Sequence, residues 1–242
     1  MSSEVVGSAA RVWPLRWAVS LVLAVGVVDL LASRLVKGSP SWPVTTTVLS
    51  WGLLAIFGGM YGIELALVWA GTRRLGQTFA ETVGMRWRRG LGVWVAIGVA
   101  AAVGVRLLSS AYTGLMLSMR WYLPGWNTNP TKYFPHDILG GVVLVLVVCV
   151  LAPIAEETIF RGVLLTSIKE RFGVKWAIGI SSVVFAVMHL NPFTFVPILL
   201  VALVLSVLYV RSGSLWVSIA CHSAFNAIGV LAVLLLRGSG VM

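Results

Sequence analysis

Charge is scarce in this chain, and acidic charge is scarcest. Only 11% of its 242 residues are charged, with eight Asp and Glu against eighteen Lys and Arg. A soluble domain carries roughly 25% charged residues. No polar stretch is long enough to fold as a domain of its own, so residues 1–242 read as a single membrane domain. Cysteine is nearly missing. Cys149 and Cys221 each lie in an apolar run, lack metal-ligand spacing, and read as small core residues. No basic face with interleaved aromatics is present, so the net charge of +10 does not point to nucleic acid. The cationic residues fall instead in short segments between apolar runs, where they set topology and meet anionic lipid headgroups. Tandem repeats and low-complexity linkers are also missing.

What fills the chain is apolar: 59% of the residues are hydrophobic, in runs of about 15 to 25, the length that crosses a hydrocarbon core. The expected fold is all-α, a polytopic transmembrane helical bundle of about seven spans, at 17–33, 44–70, 91–108, 138–168, 176–190, 194–210 and 215–236. The segment from Ala111 to Tyr122 is short and flanked by Arg106 and Arg120. It reads as an interfacial or re-entrant piece, and an eighth crossing there would invert everything after it. Arg11 and Arg16 imitate a signal peptide, but Asp29 and the Leu30–Leu31 pair interrupt any cleavage pattern. An uncleaved first span is expected.

The loop from Gly71 to Gly90 carries Arg73, Arg74, Arg86, Arg88 and Arg89, which places it in the cytoplasm. Arg11, Arg16, Lys169, Arg171, Lys175 and Arg211 fall on the same side. Arg34, Lys37, Arg106, Arg120, Lys132 and Arg237 fall outside. The bias puts the N-terminus inside and the C-terminus outside a cell membrane. Within that loop, Phe79 to Trp87 either lies along the inner surface or is solvated.

Polar side chains inside apolar spans are costly, which marks them as functional candidates. Three stretches stand out: Pro153 to Gly162 (PIAEETIFRG) in the fourth span, Phe185 to His189 (FAVMH) closing the fifth, and His222 to Asn226 (HSAFN) in the seventh. The core that bears them covers about 138–236. Glu157 and Arg161 are four residues apart, on one helix face, and can pair. Glu156 is turned about 100° from Glu157, so the two carboxyls need not do the same job. His222 and Asn226 share a face by the same spacing. Pro153 frees a carbonyl one turn earlier, which can bend the helix and admit water.

Depth adds a second argument. Glu156 lies fifteen residues from Arg171, or roughly 22 Å along a helix. His189 is roughly 21 Å from Lys175, and His222 and Asn226 are roughly 16 and 22 Å from Arg211. Three helices thus carry polar groups to one level near mid-bilayer. Asp29 and Glu64 also lie within or near spans but match no motif, and read as packing or water-contact groups. His136 and Asp137 read as solvated at an interface, and the Trp residues as belt anchors.

Glu-Glu-x-x-x-Arg, then Phe-x-x-x-His, then His-x-x-x-Asn, in order on successive membrane helices, resembles the CAAX proteases and bacteriocin-processing enzymes, the CPBP or Abi family of intramembrane peptidases. The resemblance covers Pro153 to Asn226, and Thr78 to Arg86 looks like a segment preceding a span in that family. It implies a glutamate-type endopeptidase without a metal or other cofactor. Glu156 would be the base and His189 its partner in activating water. His222 and Asn226 would stabilise the oxyanion, Glu157 and Arg161 would hold the site in shape, and Phe185 would line it.

The chemistry is sound on its own terms, since peptide hydrolysis needs a base for water and donors for the developing oxyanion. Two His and two Glu could also bind zinc, although the His-Glu-x-x-His pattern is missing. A transporter that moves ions over the buried Glu and His is a competing reading, without the inverted repeats that would support it. A non-catalytic scaffold or immunity protein is another. The expected partner is a membrane-embedded or lipid-anchored peptide or protein substrate, with anionic lipids and without nucleic acid.

Overall fold

A computed structural model describes residues 12–37, 45–121 and 134–238, and every regular element among them is helical. Arg11 and Lys132, both counted for topology, lie outside the described residues, as do the side chains of Lys37 and Arg237. The elements are α1 (Leu15–Lys37), α2 (Thr46–Arg74), the short α3 (Phe79–Val83) and α4 (Leu91–Ser118). A continuous rod over Ile138–Phe172 follows. It is built from α5 (Ile138–Leu146), a π-turn segment π1 (Val147–Leu151), α6 (Ala152–Glu157), a second π segment π2 (Thr158–Leu165) and α7 (Thr166–Phe172). Then come α8 (Val174–Met188), α9 (Phe195–Ser212) and α10 (Leu215–Gly238).

Six of these helices are long and apolar enough to cross a membrane, so the chain is a multi-pass membrane protein. The expected all-α bundle is present, with a smaller count of full spans than seven. The difference is α8. Its 15 residues rise only about 22 Å, short of a core about 30 Å thick. It ends at His189, where the chain turns through Leu190 (φ 48°).

A second correction concerns α4. The segment from Ala111 onward is not a separate interfacial piece or an eighth crossing. It continues α4, a single helix of 28 residues. The cation that seemed to end the span, Arg106, does not sit in a loop. Its guanidinium donates to the carbonyl of Phe225 on α10 and lies 3.6 Å from the centre of the Phe225 ring. A charge satisfied by a neighbouring helix does not stop a span. Arg106 therefore leaves the tally of outer-loop charges.

Three apolar clusters hold the bundle, and α10 runs through all of them. Leu215 and Ile219 join Ile159, Val163 and Phe185; Val217, Cys221 and Phe225 join Ala102 and Leu205; Val230 joins Leu144 and Val147. Asp137 starts the rod, its side chain accepting the Gly140 N–H at 2.7 Å. Hydrogen bonds from Thr46 and from that N–H hold its carboxyl below the usual range.

The stretch from Phe79 to Trp87 is neither a free surface helix nor a loose loop. Thr78 and Glu81 form a reciprocal capping box at the start of α3, and the Thr78 hydroxyl and N–H keep the Glu81 carboxyl below its ordinary value. The turn after α3 is docked on the α9–α10 corner. Leu215 N donates to Gly84 O at 2.9 Å and Ser214 Oγ to Arg86 O at 2.7 Å. Gly84 sits at φ 76° and lies so near the Tyr209 hydroxyl that a Cβ would come within 2.8 Å of it.

Val83 packs directly on the motif rod. A Cβ added at Gly162 would meet Val83 Cβ at 2.8 Å and Val83 Cα at 3.1 Å. Since backbone cannot swing aside, Gly162→Ala is expected to cost about 1–3 kcal/mol. Thermal unfolding of the purified protein in detergent checks this, and an unchanged midpoint would show that α3 does not bear on the rod.

Candidate active site

The site begins with the broken register of the rod. In π1 the Ala152 N–H donates to Val147 O, five residues back. Val148 O would by that register pair with residue 153, which is Pro153 and has no N–H to give. The carbonyl freed by Pro153 is therefore that of Val148, not the one an unbroken α-helix would free. It is taken by a side chain: Asn226 Nδ2 on α10 donates to Val148 O at 2.8 Å. Asn226 thus ties α10 to the rod, and one amide hydrogen remains for other use. Asn226→Ala is expected to lower stability by about 0.6–1.7 kcal/mol, the range for interhelical hydrogen bonds. Unfolding of the variant in detergent is the check, and no loss would sink the carbonyl-capping role.

One turn after Pro153 stand the two glutamates, and their surroundings differ sharply. Glu157 is fully buried, and its Oε1 accepts from Arg161 Nη1 at 2.8 Å and from His222 Nδ1 at 2.8 Å. The pair expected from the four-residue spacing is thus present. Arg161 is also fully buried; its Nη2 donates to Ala202 O on α9 at 3.0 Å, and its guanidinium lies 4.6 Å from the centre of the Phe185 ring. Glu156 keeps 21% of its side chain accessible, and its Oε2 reaches no hydrogen-bond partner.

His222 bridges the two. With Nδ1 on Glu157, its Nε2 stands 3.8 Å from Glu156 Oε2. Because the carboxylate can only accept, Nδ1 carries its hydrogen and Nε2 is left for chemistry. The imidazole beside Glu156 is therefore that of His222, where the family resemblance implied His189. Among the described residues no ion pair joins His189 to Glu156. His189 caps α8, and its Nδ1 donates to Phe185 O at 2.8 Å.

Phe185 is the residue on which the three motif stretches converge. Its ring centre is 4.7 Å from that of His189, 5.9 Å from that of His222 and 5.0 Å from that of Phe160. The π2 segment is stitched to its neighbours by hydroxyls, with Ser181 Oγ donating to Phe160 O at 3.0 Å and Ser167 Oγ to Val163 O at 2.8 Å. Two surface clefts, one around Trp13, Arg16 and Arg171 and one around Trp69, Thr72 and Phe79, share no residue with this group. No group of three or more His, Cys, Asp and Glu among the described residues is arranged to hold a metal ion.

Two residues read from sequence as packing or water-contact groups belong beside this cluster. Asp29 on α1 and Glu64 on α2 are hydrogen-bond neighbours, and both lie within electrostatic reach of Glu156. Glu64 is 1% exposed. Their signal in the sequence is the cost of an acid within a span, the same signal that marks the three motifs.

Comparison with known proteins agrees with the motifs. A family model described as type II CAAX prenyl endopeptidase Rce1-like matches residues 138–228, which contain all seven motif side chains. Over 155 residues the chain is 30% identical to the "Uncharacterized 24.3 kDa protein" of Escherichia coli, covering 60% of this chain and 71% of that one. Over 96 residues it is 29% identical to the "Putative membrane peptidase YdiL" of Bacillus subtilis, covering 39% of each. No solved structure matches. With a polytopic helical bundle and the motif-bearing rod, α8 and the His222–Asn226 part of α10 inside the matched residues, the chain belongs to the Rce1-like family.

Proposed function

We propose that this chain is an intramembrane endopeptidase of the CAAX-protease-like kind. It hydrolyses a peptide bond of a membrane-embedded or lipid-anchored substrate through a water activated by Glu156. The observation that carries the reading is the 3.8 Å gap between Glu156 Oε2 and His222 Nε2. A water placed beside that gap is within about 2.8 Å of both atoms, the distance each would need to hold it. Glu156 then takes a proton from the water as its oxygen attacks the scissile carbonyl, and returns it to the leaving amine. The spare amide hydrogen of Asn226 and, once a proton resides on Nε2, the ring of His222 oriented by Glu157 are the donors for the oxyanion. His189 completes the polar wall on the far side of the Phe185 ring. Arg161 neutralises Glu157 and anchors it to α9.

The partners in this reading are a membrane-tethered polypeptide and the anionic headgroups met by the loop arginines, in a cell membrane. The test is to map N- and C-terminal peptides of membrane proteins from cells carrying the wild-type chain or Glu156→Gln. Longer precursors should accumulate only with the variant, and their ends give the cleavage site. Matching peptide maps from the two strains would refute a proteolytic role.

A further inference from the structure

The mechanism above gives His222 a carboxylate and leaves His189 without one. His189 Nδ1 is committed to the Phe185 carbonyl at 2.8 Å. A carbonyl only accepts, so that nitrogen carries its hydrogen and the remaining polar atom of the ring is Nε2. What faces the end of α8 comes from α1. A Cβ on Gly26 would lie 3.0 Å from Met188 Cε, so the α1 backbone touches the residue next to His189. Asp29 is three residues beyond Gly26, on the same helix face one turn along. It lies within electrostatic reach of His189.

Asp29 is itself held. Glu64 on α2 is its hydrogen-bond neighbour, is 1% exposed, and has a buried oxygen, Oε1, that no donor reaches. Two carboxyl groups share a hydrogen bond only through one proton, so the pair carries one negative charge between them. The groups that face it are Tyr61 from α2, Glu156 from α6 and His189 at the end of α8, with Arg161 of π2 acting on His189 from the other side. Among these, His189 is the one whose free nitrogen needs a carboxylate.

We propose that Asp29, fixed by Glu64, is a positioning residue for His189: it sets the plane of the imidazole that caps α8 and offsets the charge that imidazole carries when a proton resides on Nε2. The arrangement parallels that of Glu157 with His222, so each histidine has its own carboxylate, one from the motif rod and one from the first two helices. This rests on the peptidase reading. It adds that α1 and α2 are part of the active site although no motif lies on them.

The test uses the full chain in liposomes with a membrane-tethered fluorogenic peptide as probe. Asp29→Asn is expected to lower kcat about 10- to 100-fold, as when the hydrogen-bond partner of a functional histidine is removed, with KM and the melting temperature unchanged. Asp29→Glu, which restores the charge one methylene further out, should recover part of the loss. Wild-type kcat in Asp29→Asn, or a loss that follows melting temperature and is not rescued by Glu, overturns the proposal. If Asp29→Asn does not fold, Asp29→Glu decides, since a displaced carboxylate should lower kcat and not KM, and full kcat would reject the role. Glu156→Gln in the same assay separates the two claims. An active Glu156→Gln removes the peptidase reading and this proposal with it, whereas an inactive Glu156→Gln beside a fully active Asp29→Asn removes this proposal alone.

Discussion

Arg161→Ala is expected to leave little folded protein, whatever substrate is offered. The guanidinium is fully buried, holds Glu157 at 2.8 Å and Ala202 O at 3.0 Å, and lies over the Phe185 ring at 4.6 Å. Alanine removes all three contacts and leaves a buried carboxylate with only a histidine beside it. Removing one partner of a buried pair costs about 3–5 kcal/mol, a large share of the roughly 5–15 kcal/mol by which a domain is stable. Lysine should not rescue it. A compact ammonium lacks the flat face and the two spaced nitrogens with which the guanidinium reaches Glu157 and α9 while stacking on an aromatic ring. The measurement is the yield of monodisperse protein in detergent and its melting temperature. Wild-type values for Arg161→Ala would show that the clamp is decorative.

Glu156→Gln and Glu157→Gln should fail in opposite ways, although the residues are neighbours. Glu156 makes no hydrogen bond through Oε2 and keeps 21% of its side chain accessible, so an amide of the same shape should fold normally. Its rate of peptide cleavage should fall by about 10²–10⁴-fold, the range assigned to a general base. Glu157 accepts from Arg161 and His222 at once and is fully buried. An amide there leaves Arg161 uncompensated, and the expected result is lost folding before lost chemistry. Paired melting curves and cleavage rates on both variants decide the assignment. A stable, inactive Glu157→Gln beside an active Glu156→Gln would exchange their roles.

The parts of this site that could be read from sequence are those governed by local spacing. Glu157 and Arg161 are one helical turn apart, and their pair follows from that alone. The common depth of Glu156, His189 and His222 follows from counting along helices. Contacts that depend on the third dimension were not legible. The register of the rod changes at π1, and Pro153 marks the place without saying which carbonyl it frees. Arg106 looked like a span boundary because nothing in its neighbourhood announces that Phe225, 119 residues later, will accept from it. His189 and His222 are equivalent on paper, and only packing around Phe185 decides which one reaches Glu156. Asp29 and Glu64 lie on helices without motifs, and their position depends on how α1 meets the end of α8.

The two widened turns that flank Ala152–Glu157 also make the rod sensitive to length in an unusual way. Each π segment holds one residue more than an α-helix would need for the same rise. Deleting any single residue from Val147–Leu151 would let that stretch relax into ordinary helix without shortening the membrane span appreciably. The acids downstream would then keep nearly the facing they have now, because the widened turn carries its extra residue without advancing further around the rod axis. Loss of one apolar residue from the regular turns of α5, by contrast, would turn Glu156 by about 100° and act like loss of the base itself.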